Sequence, residues 1–168
     1  FLLQPFSYLV ERIIPGKVET LPIWPEFLDE KCLQNPEAAL EQVRKELRRQ
    51  MYLVRQMCVE SMRLISSFEE GRARDIRYLE LVVNNLKREL NRYLMKISRG
   101  GLAVELSGKL FAYSGIADDI ERIGNHAVSV VGLVRDKRRG NIEFTNWAHA
   151  EIDEIAGLIV QNLDDTVT

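Results

Sequence analysis

The sequence predicts an all-α protein, an antiparallel up-down helical bundle with short turns. Three observations predict it. All five prolines lie at or before residue 36, so the rest of the chain is free of the residue that costs a helix interior about 3 kcal/mol. Apolar residues then recur at steps of three and four over long segments, the period of one helical face. No strand-like alternation, Asn-Gly hairpin or strand-helix alternation occurs.

The N-terminal quarter is read as irregular. It opens with FLLQPFSYLVERII, residues 1–14, which is apolar but interrupted by Gln4, Glu11 and Arg12. A bilayer needs about 20 apolar residues, so this run cannot span alone. It lacks the basic start and small-residue cleavage site of a signal peptide. It fits the end of a membrane helix, an interfacial amphipathic helix or an apolar arm packed on the domain. A linker with Pro15, Gly16, Pro22, Pro25 and Pro36 follows.

The first long helix starts at Asn35, a capping residue, with Pro36 at the first helical position and Glu37 facing the positive helix end. Leu40, Val43, Leu47, Met51, Val54, Cys58, Met62, Ile65 and Phe68 form its stripe, and Gly71 is expected to end it. The second helix is expected from about Asp75 to Ser98, with Ile76, Leu79, Val83, Leu86, Leu90, Tyr93 and Ile97 as an unbroken seam before Gly100 and Gly101. The third is expected from about Ala103 to Arg138. Its seam runs Leu106, Leu110, Tyr113, Ala117, Ile120, Gly124, Ala127, Val131 and Val134. A second stripe, Ile116, Ile123, Val130 and Leu133, suggests contact with two neighbours, and the small Gly124 suggests close approach of a partner helix. Arg135, Lys137, Arg138 and Arg139 complement the helix dipole or offer an anion contact, and Gly140 stops the helix. A fourth helix starts near Thr145, with Trp147, Ile152, Ile155, Ile159 and Leu163 on its pattern. Its opening, TNWAHAEIDEIAG, follows the order of NPEAALEQVRKEL in the first, as a second repeat would.

Composition narrows function. The 168 residues suit one domain, and 23 basic against 25 acidic side chains give no nucleic-acid footprint. Cys32 and Cys58 form no CxxC pair and read as free thiols. No Gly-rich phosphate loop, GxSxG elbow, HExxH or Glu-x-x-His pair occurs, so neither an enzyme nor a catalytic residue is expected. His126 sits beside the apolar seam as a structural histidine, and His149 falls in the first turn of the fourth helix, at the surface. Asp118, Glu121 and Asn125 follow at three and four on one stripe of the third helix, and Glu80 and Asn84 share a four-residue step on the second. Facing each other, these oxygen-bearing side chains could hold a divalent metal; the other reading is an ordinary charged helical surface.

The run RYLMKISRGGLAVELSGKLFAYSGIADDIERIGNHAVSVV resembles the phosphate-uptake-regulator (PhoU) family, whose third helix carries a D-L-E-R-I-G-D-H-A signature. Here it reads Asp119-Ile120-Glu121-Arg122-Ile123-Gly124-Asn125-His126-Ala127. The resemblance is closest to the C-terminal PhoU-like domain of bacterial sodium/phosphate cotransporters. It implies residues 1–35 as a membrane-helix end and linker, 36–140 as one three-helix repeat and 141–168 as the first helix of a second. It also implies a non-enzymatic regulator on the cytoplasmic side of the inner membrane. The implied partners are its own transporter membrane domain, further copies of itself, or a phosphate-signalling protein. Family members bind metal through E/D-x-x-x-D motifs. Glu80-x-x-x-Asn84 and Glu121-x-x-x-Asn125 each end in an amide, so a divalent cation is expected to be held weakly at best. A carboxylate metal-binding bundle and a free-standing interaction module are the alternative functions.

Overall fold

The computed structural model describes residues 22–100 and 103–167. The expectations for residues 1–14 and for the Pro15-Gly16 part of the linker lie outside these residues. Four α-helices follow a short 3-10 turn at Glu30–Gln34: α1 Pro36–Ser66, α2 Glu70–Ser98, α3 Val104–Arg139 and α4 Asn146–Val167. The all-α bundle is as expected. Helices α1, α2 and α3 pack on one another, and α4 lies along α1. Among the described residues no helix is long and apolar enough to cross a membrane.

The start of α1 is the one its residues dictate. Asn35 Oδ1 accepts from the N–H of Glu37 at 3.1 Å and of Ala38 at 3.3 Å, and Pro36 occupies the first turn. Its end is earlier than expected. The helix stops at Ser66, and Gly71 lies in the first turn of α2, which begins at Glu70 rather than Asp75. A glycine there costs only about 1 kcal/mol. The early start lets Ala73 enter the core, and Arg72 pairs with Glu69 and Glu60. Phe68 fills the turn beneath the Arg138 guanidinium, 4.6 Å from its ring centre.

The α2 seam is buried at every expected position. The α3 seam is buried at Ala117, Ile120, Gly124, Ala127, Val131 and Val134, while Leu106, Leu110 and Tyr113 are half-buried. A Cβ on Gly124 would stand 3.5 Å from Val54 Cγ2 and 3.6 Å from Met57 Cε, so α1 does come close there. The second α3 stripe behaves otherwise. Ile116 is 44% and Leu133 68% exposed. Ile123 and Val130, between them, are half-buried and pack against the core, so this stripe forms the edge of the α3 contact face, buried in its middle and open at its ends.

The α3–α4 turn also departs in detail. Gly140 has an ordinary φ, and the positive φ of 48° falls on Asn141. Asparagine tolerates that region better than most residues. Gly140 N–H donates to the Asp136 carbonyl and Ile142 N–H to that of Lys137, closing the helix end. Lys137 sits 4.0 Å over the Phe144 ring, so part of the basic cluster is engaged with aromatic faces. Thr145 Oγ1 accepts from Ala148 N–H at 3.2 Å and caps α4. From there α4 runs back along α1, with Leu163 buried and Asp164 paired with Arg55.

Candidate functional site

Two places gather chemistry, and α1 contributes to one of them. The first is the α2–α3 edge. Lys87 on α2 reaches between two carboxylates of α3, 2.8 Å from Asp118 Oδ1 and 3.1 Å from Glu121 Oε2. The Asn125 amide donates to Glu121 Oε1 at 2.6 Å. The i, i+3 and i, i+4 spacing puts these three side chains on one α3 stripe, and the antiparallel run of α2 brings Lys87 opposite. The bond to Asp118, ahead of that to Glu121, holds the Lys87 ammonium above its ordinary pKa. The Asn125 amide first, and Lys87 second, hold the Glu121 carboxyl below the usual range.

Three of the five expected metal residues therefore meet. The other two stand apart: Asn84 is exposed, Glu80 is half-buried, and no hydrogen bond or ion pair joins either to the α3 stripe. The arrangement does not fit a divalent cation. A lysine ammonium already neutralises both carboxylates, and Asn125 presents its donor, not its oxygen, to Glu121. Among the described residues no group of three or more His, Cys, Asp or Glu side chains could hold an ion.

The second place is an apolar groove between α1 and α3, about 400 Å³ in volume. Leu47, Met51, Tyr113, Ile116, Ile120 and Ile123 line it. Arg44, Arg48 and Asp119 stand at its rim, and Thr166 of α4 lies at one end. The second stripe of α3 supplies Ile116, exposed, and Ile123, half-buried.

His126 is exposed and does not join the core, because Gly124 and Ala127 carry the seam past it. His149 is half-buried, with its ring 5.7 Å from that of Phe144 in an edge-on contact. Both cysteines are free, and burial pushes the Cys58 thiol up to about 11, away from nucleophilic use.

One polar feature escaped sequence reasoning. Glu46 is fully buried and accepts from the backbone N–H of Glu26 at 2.9 Å and of Phe27 at 3.1 Å. Arg49 pairs with it at 2.8 Å, with Glu26 at 3.1 Å, and donates to the Pro22 carbonyl at 2.9 Å. Asn85 donates to the Ile23 carbonyl at 2.8 Å, and Tyr93 Oη to that of Asp29 at 2.6 Å. Desolvation pushes the Tyr93 phenol up to about 12. Together these bonds strap the segment from Pro22 to Asp29 across α1 and α2. The available signal was the step from Glu46 to Gln50, Leu53, Met57, Ser61 and Leu64, a second α1 stripe with three polar members.

The class this geometry defines is a helical bundle with a charged edge and an open apolar groove, and with no assembled catalytic group among the described residues. The chain belongs to the PhoU domain family: the family's profile matches residues 47–134, more than half of the chain, from mid-α1 to the last buried residue of α3. Membership makes it a regulatory helical domain of phosphate homeostasis. No curated protein and no solved structure gives a significant match.

Proposed function

We propose that the chain is the cytoplasmic regulatory domain of a sodium-dependent phosphate transporter, attached at the inner face of the inner membrane and acting through protein contacts. The observation that carries this reading is the Asp119–Ala127 run on α3, which lies inside the segment matched by the family. Two further features support the transporter context. The apolar run of residues 1–14 has the composition of a membrane-helix end. The chain that follows it is strapped to α1 by Glu46 and Arg49, so a displacement of that strap would be felt by the bundle. The partners are then the transporter's own membrane domain, further copies of this chain and a phosphate-signalling protein.

The test is to tag the native gene, fractionate the cells and measure sodium-driven uptake of labelled phosphate. The tagged chain should sediment with the inner membrane, and substitution of Glu46 should change uptake. A tag in the soluble fraction, with uptake unaffected by deletion of the chain, would favour a free-standing interaction module instead.

A further inference from the structure

The side of α2 turned away from α1 and α3 carries one sign of charge. Arg74, Arg77, Arg88, Arg92 and Arg99 are all exposed, and at 3.6 residues per turn they fall within an arc of about 60°. Leu81, 66% exposed, and Met95, 56% exposed, lie in the same arc. No Asp or Glu between residues 74 and 99 falls in it. The stripe is about 37 Å long, at a rise of about 1.5 Å per residue. Glu89, beside the arc, pairs with Arg92 at 2.7 Å and lies 3.8 Å from Arg88. Among the described residues no ion pair holds Arg74 or Arg99. The whole chain has a net charge of -2, so this stripe is a local segregation of positive charge.

Apolar surface continues the stripe on its α1 side. Asn85 donates to the Ile23 carbonyl and accepts from Arg88, which seats the strap directly against the stripe. Ile23 is exposed there, and Trp24 is 65% exposed. Further along, Pro25 and Leu28 share a groove of about 460 Å³ with Arg92, Met95 and Arg99. Guanidinium groups bind phosphate in paired hydrogen bonds, and Trp and aliphatic side chains settle at the boundary between headgroups and acyl chains. An acidic protein surface would call for the charges alone. The exposed Leu81 and Met95 within the arc, and Trp24 beside it, favour a bilayer. Helix α4 lies along α1, and its end at Thr166 lines the α1–α3 groove, on the side of the bundle away from α2. No described element crosses the stripe.

We propose that the outer face of α2 docks on an anionic bilayer surface, with its arginines on lipid phosphates and Leu81, Met95 and Trp24 at the headgroup boundary. This docking rests on the reading of the chain as a domain at the inner membrane, and it turns one face of that domain to the lipid. The strap from Pro22 and the α2 stripe then meet the same surface, and the α1–α3 groove opens away from it.

The experiment is co-sedimentation of the full chain with vesicles of phosphatidylcholine alone and of a two-to-one mixture with phosphatidylglycerol. The parent should bind the anionic vesicles about tenfold or more tightly than the neutral ones, and high salt should remove the difference. Residues 1–14 hold one acid and one base, Glu11 and Arg12, so partition of that run adds equally to both. Arg77→Gln, Arg88→Gln and Arg99→Gln in one chain should weaken binding to the anionic vesicles by about tenfold or more. Arg63→Gln, Arg122→Gln and Arg139→Gln remove the same charge from exposed sites on α1 and α3, and this chain should keep the preference. Trp147→Phe leaves Trp24 as the one tryptophan, and its emission should shift to the blue on anionic vesicles. Melting curves check that each variant folds. Equal binding of the parent to both vesicles overturns the proposal. So does an anionic preference that the α2 variant keeps or that the α1 and α3 variant loses equally, and so does a Trp24 emission that anionic vesicles leave unchanged. Failure of the transporter reading shows instead in the uptake and fractionation results, whatever the vesicles report.

Discussion

Arg48 and Arg49 are neighbours on α1 and meet opposite surroundings. Arg49 is nearly buried, pairs with Glu46 and Glu26, and helps to strap the chain before α1 onto the bundle. Arg48, one residue earlier and turned by about 100°, stands exposed over an apolar groove without an acidic partner among the described residues. One side of α1 has thus closed over its polar groups, and the other is open with its charge at the rim. On the closed side, removing a partner leaves a charge stranded, which is expensive. On the open side, water screens the same loss. The strap side should therefore govern stability, and a substitution at the groove rim should leave it nearly unchanged.

The sharpest way to break this comparison is Glu46→Ala. It would leave the Glu26 and Phe27 N–H groups without their acceptor and Arg49 without its buried partner. Loss of about 3 kcal/mol is expected, the lower end for a broken buried pair, since Glu26 still offers Arg49 a carboxylate. Urea unfolding measures the loss, and hydrogen exchange should quicken at Glu26 and Phe27. An unchanged midpoint would mean that the strap is held by something other than Glu46.

A smaller effect is expected on the side of α1 that meets α3. At Gly124 an added Cβ finds ordinary contacts with Val54 and Met57, so Gly124→Ala should be tolerated or gain up to about 1 kcal/mol of helix propensity. Gly124→Leu must displace Met57 and should cost about 1–3 kcal/mol. A thermal melt of the pair checks both signs. If leucine is as stable as alanine, the α1–α3 contact is looser than the closed strap side by more than the comparison allows.

Much of this was legible in the sequence, for physical reasons that differ by element. The α2 seam was legible throughout because every buried position is apolar and the steps never break. The early end of α1 was not, since Gly71 looks like a stop signal and its low cost inside a first turn is decided by what Ala73 and Arg72 gain. The strap was hidden because Glu46 is a charged residue in a buried stripe, and its backbone partners some 20 residues earlier, together with Arg49, make that burial tolerable. Gln50, next on that stripe, is buried with neither amide atom bonded among the described residues, and nothing in the structure explains it. The stripe of Asp118, Glu121 and Asn125 was legible as a stripe. That Lys87 would stand in it depends on how α2 and α3 register, which spacing within one helix does not encode.

Lys87 carries the smallest predicted effect, and it tests whether a polar clasp at a half-open edge behaves like the strap or like the groove rim. Its side chain is 26% exposed and that of Glu121 25%, so both remain partly in water. Glu121 has a lowered folded-state pKa, so its contribution is present above the unfolded value near 4.3 and fades as pH falls through the folded value. Lys87 has a raised one, so its contribution is present below the unfolded value near 10.4 and is lost as pH rises through the folded value. Lys87→Met should therefore lower the melting temperature slightly at neutral pH and flatten its decline at both the acid and the alkaline ends. It also exposes Asp118 and Glu121 to each other without a cation. Manganese should then raise the melting temperature of Lys87→Met more than that of the parent. Equal manganese responses would mean that Lys87 is not what keeps an ion from these carboxylates. Unchanged pH profiles would mean that the bonds at this edge are as fully screened as an isolated pair at the groove rim.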